Sequence, residues 1–260
     1  MAGNAAYPKS TFTVASIHNR FKGARPNQTR YMTRPTTELR RLPVIGRCGD
    51  RLKICVITQE VGKMTVDVPK GQAGCPSGFI GTIVGHIMNW YNRQDNDWTI
   101  SLLDLQPADH VLEIGFGPGQ AIERAAQRVT HGFIAGVDLS PTMVEQAKRR
   151  NASYVRTGCV ELRQGDVVAL PYENASFDKI FAVNCIYFWP EPMRALREMH
   201  RVLRAQGLLA ITVRVKQHAP YSLYTGDKLT AMLSEAGFRQ ARFQNGPNPG
   251  HPIGCVLGIK

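Results

Sequence analysis

The run Val111-Leu112-Glu113-Ile114-Gly115-Phe116-Gly117-Pro118-Gly119 constrains this chain more than any other stretch. A short apolar segment meets three glycines at alternate positions, and a helical pattern follows. That order predicts a strand, a tight turn and a helix. Glycines at 115, 117 and 119 allow a positive φ and let a ligand approach without an intervening Cβ. The helix that follows opens on free N–H groups. An acid inside the strand, Glu113, requires a polar partner if it is buried. Together these features describe a nucleotide-cofactor site.

The rest of the chain extends the pattern. Apolar segments at 111–114, 133–137, 160–163, 179–183 and 208–213 alternate with helical patterns at 120–129, 141–151, 191–203 and 228–236. Pro141 stands at a first helical position, Gly207 reads as a helix stop, and Gly237 follows the last helix as a cap. Segments 238–244 and 253–259, joined by a Gly- and Pro-rich linker, read as a closing hairpin. Strand–helix alternation of this kind predicts an α/β fold. It is doubly wound and Rossmann-like, with a mostly parallel seven-stranded sheet and one antiparallel strand. Ahead of it, residues 64–105 read as an N-terminal helical cap, with Phe79, Ile80, Ile83, Ile87 and Tyr91 near helical spacing. The cofactor domain is expected over 106–260.

Residues 1–63 are a separate problem. The chain carries a net charge of +12, yet residues 1–63 hold 12 Lys and Arg against 3 Asp and Glu, so 9 of the 12 charges lie there. No strand or helix period is evident in this leader. It reads as a disordered basic extension, a transit peptide, or a stretch upstream of a natural start at Met64, and is expected to be dispensable. The body is only mildly basic, which argues against a nucleic-acid face. No apolar stretch reaches the ~20 residues of a membrane span. The six cysteines form no C-x-x-C pair and no zinc-like spacing with histidine, so no metal site is expected. Reduced thiols and the lack of a secretory signal pattern read as a cytoplasmic protein.

Four polar features fall at successive strand ends: the glycine turn, Asp138, Asp166 and Asn184. Ligands of doubly wound sheets bind at the carboxyl ends of the strands. An acid about 20 residues after the turn suits a ribose diol, because a carboxylate accepts two O–H bonds. Separately, each has a plainer reading, as a helix-start acid, a turn residue or a strand terminator. The glycine spacing is G-x-G-x-G, with Gln120 next, rather than the dinucleotide G-x-G-x-x-G.

This pattern resembles the first motif of class I S-adenosylmethionine-dependent methyltransferases. The similarity covers most of residues 105–215, including 136–140 (GVDLS), 165–171 (GDVVALP), 176–180 (SFDKI) and 196–207 (LREMHRVLRAQG). One departure is Ala205-Gln206-Gly207, where family members often carry Pro-Gly-Gly. The sequence is most similar to the small-molecule branch. The resemblance implies S-adenosylmethionine as cofactor. It implies that Glu113 orients the amino-acid end, with Gly115, Gly117 and Gly119 passing close by. Asp138 would hold the ribose, with Leu139 and Met143 near the adenine, Asp166 and Val167 bracketing that ring, and Asn184 lining the methyl-transfer end.

Methyl transfer from a sulfonium needs alignment and a dry site more than a catalytic triad. A general base is required only where the acceptor must lose a proton. Asn184, Tyr187 and His86 are the candidates at the reacting end. Tyr187 is the member of Tyr187-Phe188-Trp189 expected to face the site, with the other two packing the core. A small, hydrophobic organic acceptor is expected, with no nucleic acid and no stable membrane insertion. An RNA or protein methyltransferase, a nucleotide-dependent oxidoreductase and a non-catalytic binding module are the competing readings. Neither the acceptor nor the oligomeric state can be read from the residues.

Overall fold

A computed structural model describes residues 92–260, together with the backbone of three strands, β1 (Val44–Cys48), β2 (Arg51–Thr58) and β3 (Gly62–Val68). These three form an antiparallel sheet of order β1-β2-β3, with Val44 opposite Cys55 and Leu52 opposite Val68. No strand period was read there, and β3 runs through the expected boundary at residue 63. Residues 64–68 of the expected helical cap are instead strand, part of β3, and residues 69–91, including His86 and Tyr91, lie outside the described residues.

The main sheet has seven strands: β4 (His110–Ile114), β5 (Phe133–Asp138), β6 (Val160–Gln164), β7 (Phe177–Val183), β8 (Leu203–Arg214), β9 (Arg239–Asn245) and β10 (Ile253–Ile259). Their order is β6-β5-β4-β7-β8-β10-β9. The pairs from β6 to β8 are parallel, and β10 runs antiparallel to both β8 and β9. This is the doubly wound sheet with one reversed strand that the alternation predicts.

Side chains alternate across the sheet with period two. Leu112, Ile114, Val137, Ile180, Ile211 and Val213 enter one buried cluster. Val111, Ile134, Phe181, Ala210 and Leu257 enter the other. Burial on both faces explains why the parallel strands read as continuous apolar runs. Helices α1 (Arg93–Leu102), α2 (Gln120–Ala126) and α3 (Pro141–Arg150) contribute Ile100, Ile122 and Val144 to the second cluster. Helices α5 (Pro192–Val202) and α6 (Gly226–Glu235) contribute Leu196, Met199, Leu229 and Leu233 to the first. A further short helix, α4 (Ala152–Arg156), follows α3 where the sequence reading ended one helix.

Gly207 does not stop the preceding helix. That helix ends at Val202, because Leu203 turns extended at φ −76°, ψ 139°. The Lys260 ammonium donates to the carbonyls of Arg201 (3.3 Å) and Leu203 (2.8 Å), satisfying groups a helix end leaves open. Gly207 instead lies in β8, where the pairing to β7 slips between Phe177–Leu203 and Lys179–Leu208. No described helix is long and apolar enough to cross a membrane.

Candidate active site

The glycine turn leaves β4 with Gly115, Gly117 and Gly119 all at positive φ (68°, 51° and 77°). Their reasons differ. A Cβ on Gly119 would lie 2.7 Å from both Ala147 Cβ and Asn151 Nδ2, so this glycine seats α2 against α3. The buried Asn151 amide secures that joint by donating to the carbonyls of Gly119 (3.0 Å) and Ala147 (2.9 Å). A Cβ on Gly117 would meet nothing within 4 Å; it would project into open space beside the turn.

That space is a cleft of about 1030 Å³, counted to its open mouth, at the carboxyl ends of β4, β5 and β7. Glu113, Gly115, Gly117, Asp138, Leu139, Met143, Asp166, Val167 and Asn184 all line it. Of the residues expected to hold the cofactor, only Gly119 sits behind the wall. Asn92 and Asn96 of the α1 region also line it, as do Cys185, Phe188 and Trp189.

Asp138 is tied into the turn. Its Oδ2 accepts from the Gly117 N–H and its Oδ1 from the Ser140 N–H, both at 2.8 Å. Burial raises its pKa, and those two N–H bonds oppose the rise. Ser140 caps α3, its hydroxyl accepting from the Met143 N–H at 3.3 Å. Glu113 is 3% exposed, and its Oε2 is buried without a hydrogen-bond partner. Burial drives its pKa well above the carboxylate range; Asp138 adds to this, and the backbone N–H of Ile122 works against it. Asp166 closes its own turn, accepting from the Val168 N–H at 3.1 Å.

Three carboxylates line the cleft and, among the described lining residues, no Lys, Arg or His. Such a cavity favours a ligand that brings positive charge and hydrogen-bond donors. The Cys185 thiol is not a nucleophile here. Burial first, then Asp138 and Glu113, push its pKa up, and it donates to the Ile114 carbonyl.

The aromatic tract departs from expectation. Ile186–Phe188 is a single 3-10 turn. It turns Tyr187 away from the cleft, where its hydroxyl accepts from the Arg214 N–H at 2.5 Å and its ring packs on Tyr221 and Tyr224. Phe188, 43% exposed, lines the cleft instead, whereas Trp189 packs into the buried core as expected and also lines the wall. His86 lies outside the described residues.

A buried polar cluster at the end of β7 and β8 went unread. Asp95, fully buried in α1, accepts from Asn184 Nδ2 (2.5 Å), from Arg214 Nη2 and Nε (3.2 and 3.3 Å), and contacts His251 Nε2 at 2.6 Å. Arg214 Nη2 also donates to Asn92 Oδ1 at 2.8 Å. The available signal was the spacing Asp95, Asn96, Thr99, Ile100, Leu103, a stripe at helical period in which small polar residues accompany apolar ones.

Comparison with known proteins decides the family. A methyltransferase domain family matches residues 112–211. The uncharacterized methyltransferase YdaC of Bacillus subtilis is 30% identical over 165 residues, 62% of this chain and 89% of YdaC. The chain belongs to the class I S-adenosylmethionine-dependent methyltransferases. This methyltransferase is also 29% identical to the O-methyltransferase resE of Aspergillus sclerotiorum, over 54% of this chain and 59% of resE. In three dimensions it is similar to an S-adenosylmethionine-dependent methyltransferase from Aquifex aeolicus, with a TM-score of 0.60 and 19% identity over 70% of this chain and 99% of that one. The enzyme uses S-adenosylmethionine. The cleft fits such a group: an orphaned buried carboxyl oxygen at Glu113, a paired acid at Asp138, and a Gly117 whose side-chain position is open.

Proposed function

We propose that this methyltransferase moves a methyl group to a small, hydrophobic organic acceptor. The supporting observation is the cleft wall. Ile114, Val137, Val183, Phe188, Trp189 and Pro190 line it alongside the cofactor residues, without a basic side chain among those described. The O-methyltransferase relative supports oxygen as one acceptor atom to test. An RNA methyltransferase would offer a basic surface with aromatic stacking platforms.

In this reading Glu113 takes the cofactor's ammonium and Asp138 accepts from the ribose hydroxyls. Leu139 and Met143 contact the adenine, and Asp166 and Val167 bracket it. Gly115 and Gly117 keep the turn close to the amino-acid end, and Gly119 supports them from behind. Asn184 stands at the reacting end. The cofactor supplies an activated methyl group. The protein's part is to align the acceptor behind it and to exclude water. Tyr187, engaged with Arg214, acts by holding the wall in place. His86 remains the candidate base for an acceptor that must lose a proton. Residues 1–63 are proposed to be dispensable for cofactor binding.

The test is a screen of hydroxyl, amine and quinol acceptors with isotopically labelled S-adenosylmethionine, followed by mass spectrometry of the product. Label entering a small apolar compound supports the reading. Label entering only RNA or protein overturns it.

A further inference from the structure

We propose that Asp95 is a positioning residue that fixes which end of the Asn184 amide faces the ligand. This rests on the placement of Asn184 at the methyl-transfer end. The argument follows from donor and acceptor types. A guanidinium only donates, so Arg214 requires the oxygen of Asn92, at 2.8 Å. The Asp95 carboxylate, ion-paired to Arg214 and fully buried, accepts, so it requires the nitrogen of Asn184, at 2.5 Å. Asn92 Oδ1 lies on the same nitrogen at 3.3 Å and is an acceptor as well. Asn184 Nδ2 therefore has two acceptors, and Oδ1 is left buried without a partner on a residue that lines the cleft. The backbone is held too: Asn184 sits at φ +55°, unusual for a residue with a side chain, and its N–H donates to the Thr212 carbonyl at 2.9 Å. The chain Arg214–Asp95–Asn184 thus presents a carbonyl oxygen, and not an amide N–H, to whatever occupies the reacting end.

The test compares two ligands of the full chain by titration calorimetry. S-adenosylhomocysteine lacks the transferable methyl group. Sinefungin carries a protonated amine near its place, a donor suited to Asn184 Oδ1. The wild type is expected to prefer sinefungin. Asn184→Ala and Asp95→Ala should each reduce that preference about tenfold, the scale of one hydrogen bond to a charged group. The double variant should lose no more than either single one. A preference unmoved by Asp95→Ala, or losses that multiply, overturns the proposal. Should Asp95→Ala not fold, the wild-type protein answers alone by NMR. The Asn184 side-chain NH2 should remain slow to exchange when sinefungin binds; loss of that protection, with the NH2 turned toward the ligand, overturns the proposal. A wild type that binds neither ligand sinks the cofactor-site assignment itself.

Discussion

The Gly117 N–H donates to Asp138 Oδ2 at 2.8 Å, so the acid assigned to the ribose also anchors the glycine turn to the end of β5. Removing this side chain loses both roles. Asp138→Ala is expected to weaken S-adenosylhomocysteine binding by roughly 1.5–3 kcal/mol, the scale of hydrogen bonds to a charged group. Asp138→Asn keeps one accepting oxygen and should lose less. Calorimetric titration of folded variants measures both. Undiminished affinity in Asp138→Ala would place the ribose elsewhere.

Gly117 and Gly119 separate binding from folding. Both lie at positive φ, where a side chain costs about 1–2 kcal/mol. Alanine at 119 would also collide with Ala147 and Asn151, whereas alanine at 117 meets only open space. Gly119→Ala should therefore lower Tm more than Gly117→Ala. Gly117→Ala should lose cofactor affinity out of proportion to its small stability change. Thermal melts with and without S-adenosylhomocysteine distinguish these outcomes, and equal Tm losses would count against the packing argument.

The sheet and the glycine turn were legible because their signals are local. Apolar runs, alternate glycines and acids at strand ends each occupy a few consecutive residues, and the topology rule assembles them. The Asp95 cluster was not. Arg93-Gln94-Asp95-Asn96-Asp97 is an unbroken polar run that marks none of its members as buried, and the burial of Asp95 depends on partners 89, 119 and 156 residues away. The choice among Tyr187, Phe188 and Trp189 fails for a related reason. Tyr187 and Phe188 share one 3-10 turn and Trp189 follows it, so the three differ in sequence only by rotational phase, and the Arg214 N–H at the end of the neighbouring strand fixes that phase. Gly207 misled because a bulge and a helix stop call on the same residue type.

Asp178 ties the opposite end of the sheet. It accepts from the His110 N–H at 2.8 Å and from Arg204 at 2.6 Å. Burial raises its pKa, but those bonds and the Arg204 charge outweigh it and hold the carboxyl below its ordinary range. A depressed carboxyl stabilises the fold above its unfolded pKa, and that stability is lost as pH falls through the folded value. Asp178→Asn should cost up to about 1 kcal/mol at neutral pH, since the pair is partly exposed. The stability gap to wild type should close below about pH 4. A gap independent of pH would assign the loss to packing.

Glu113 should respond in the opposite sense. Burial holds its pKa well above the ordinary range, and its Oε2 has no partner. In the free enzyme its contribution to stability is fully present below the unfolded pKa, about 4.3, and is lost as pH rises through the folded value. Glu113→Gln keeps the shape without the titration, so it should gain stability relative to wild type across that window. Ligand binding reverses the preference. An ammonium beside Glu113 favours the carboxylate, so below the raised pKa binding must expel a proton. Affinity for S-adenosylhomocysteine should then rise with pH in the wild type and rise less in Glu113→Gln. Calorimetry in two buffers of different ionisation enthalpy reads the proton directly. Equal heats in both buffers across about pH 5–8 would mean that Glu113 binds no cation, and the amino-acid end would have to be held by other groups.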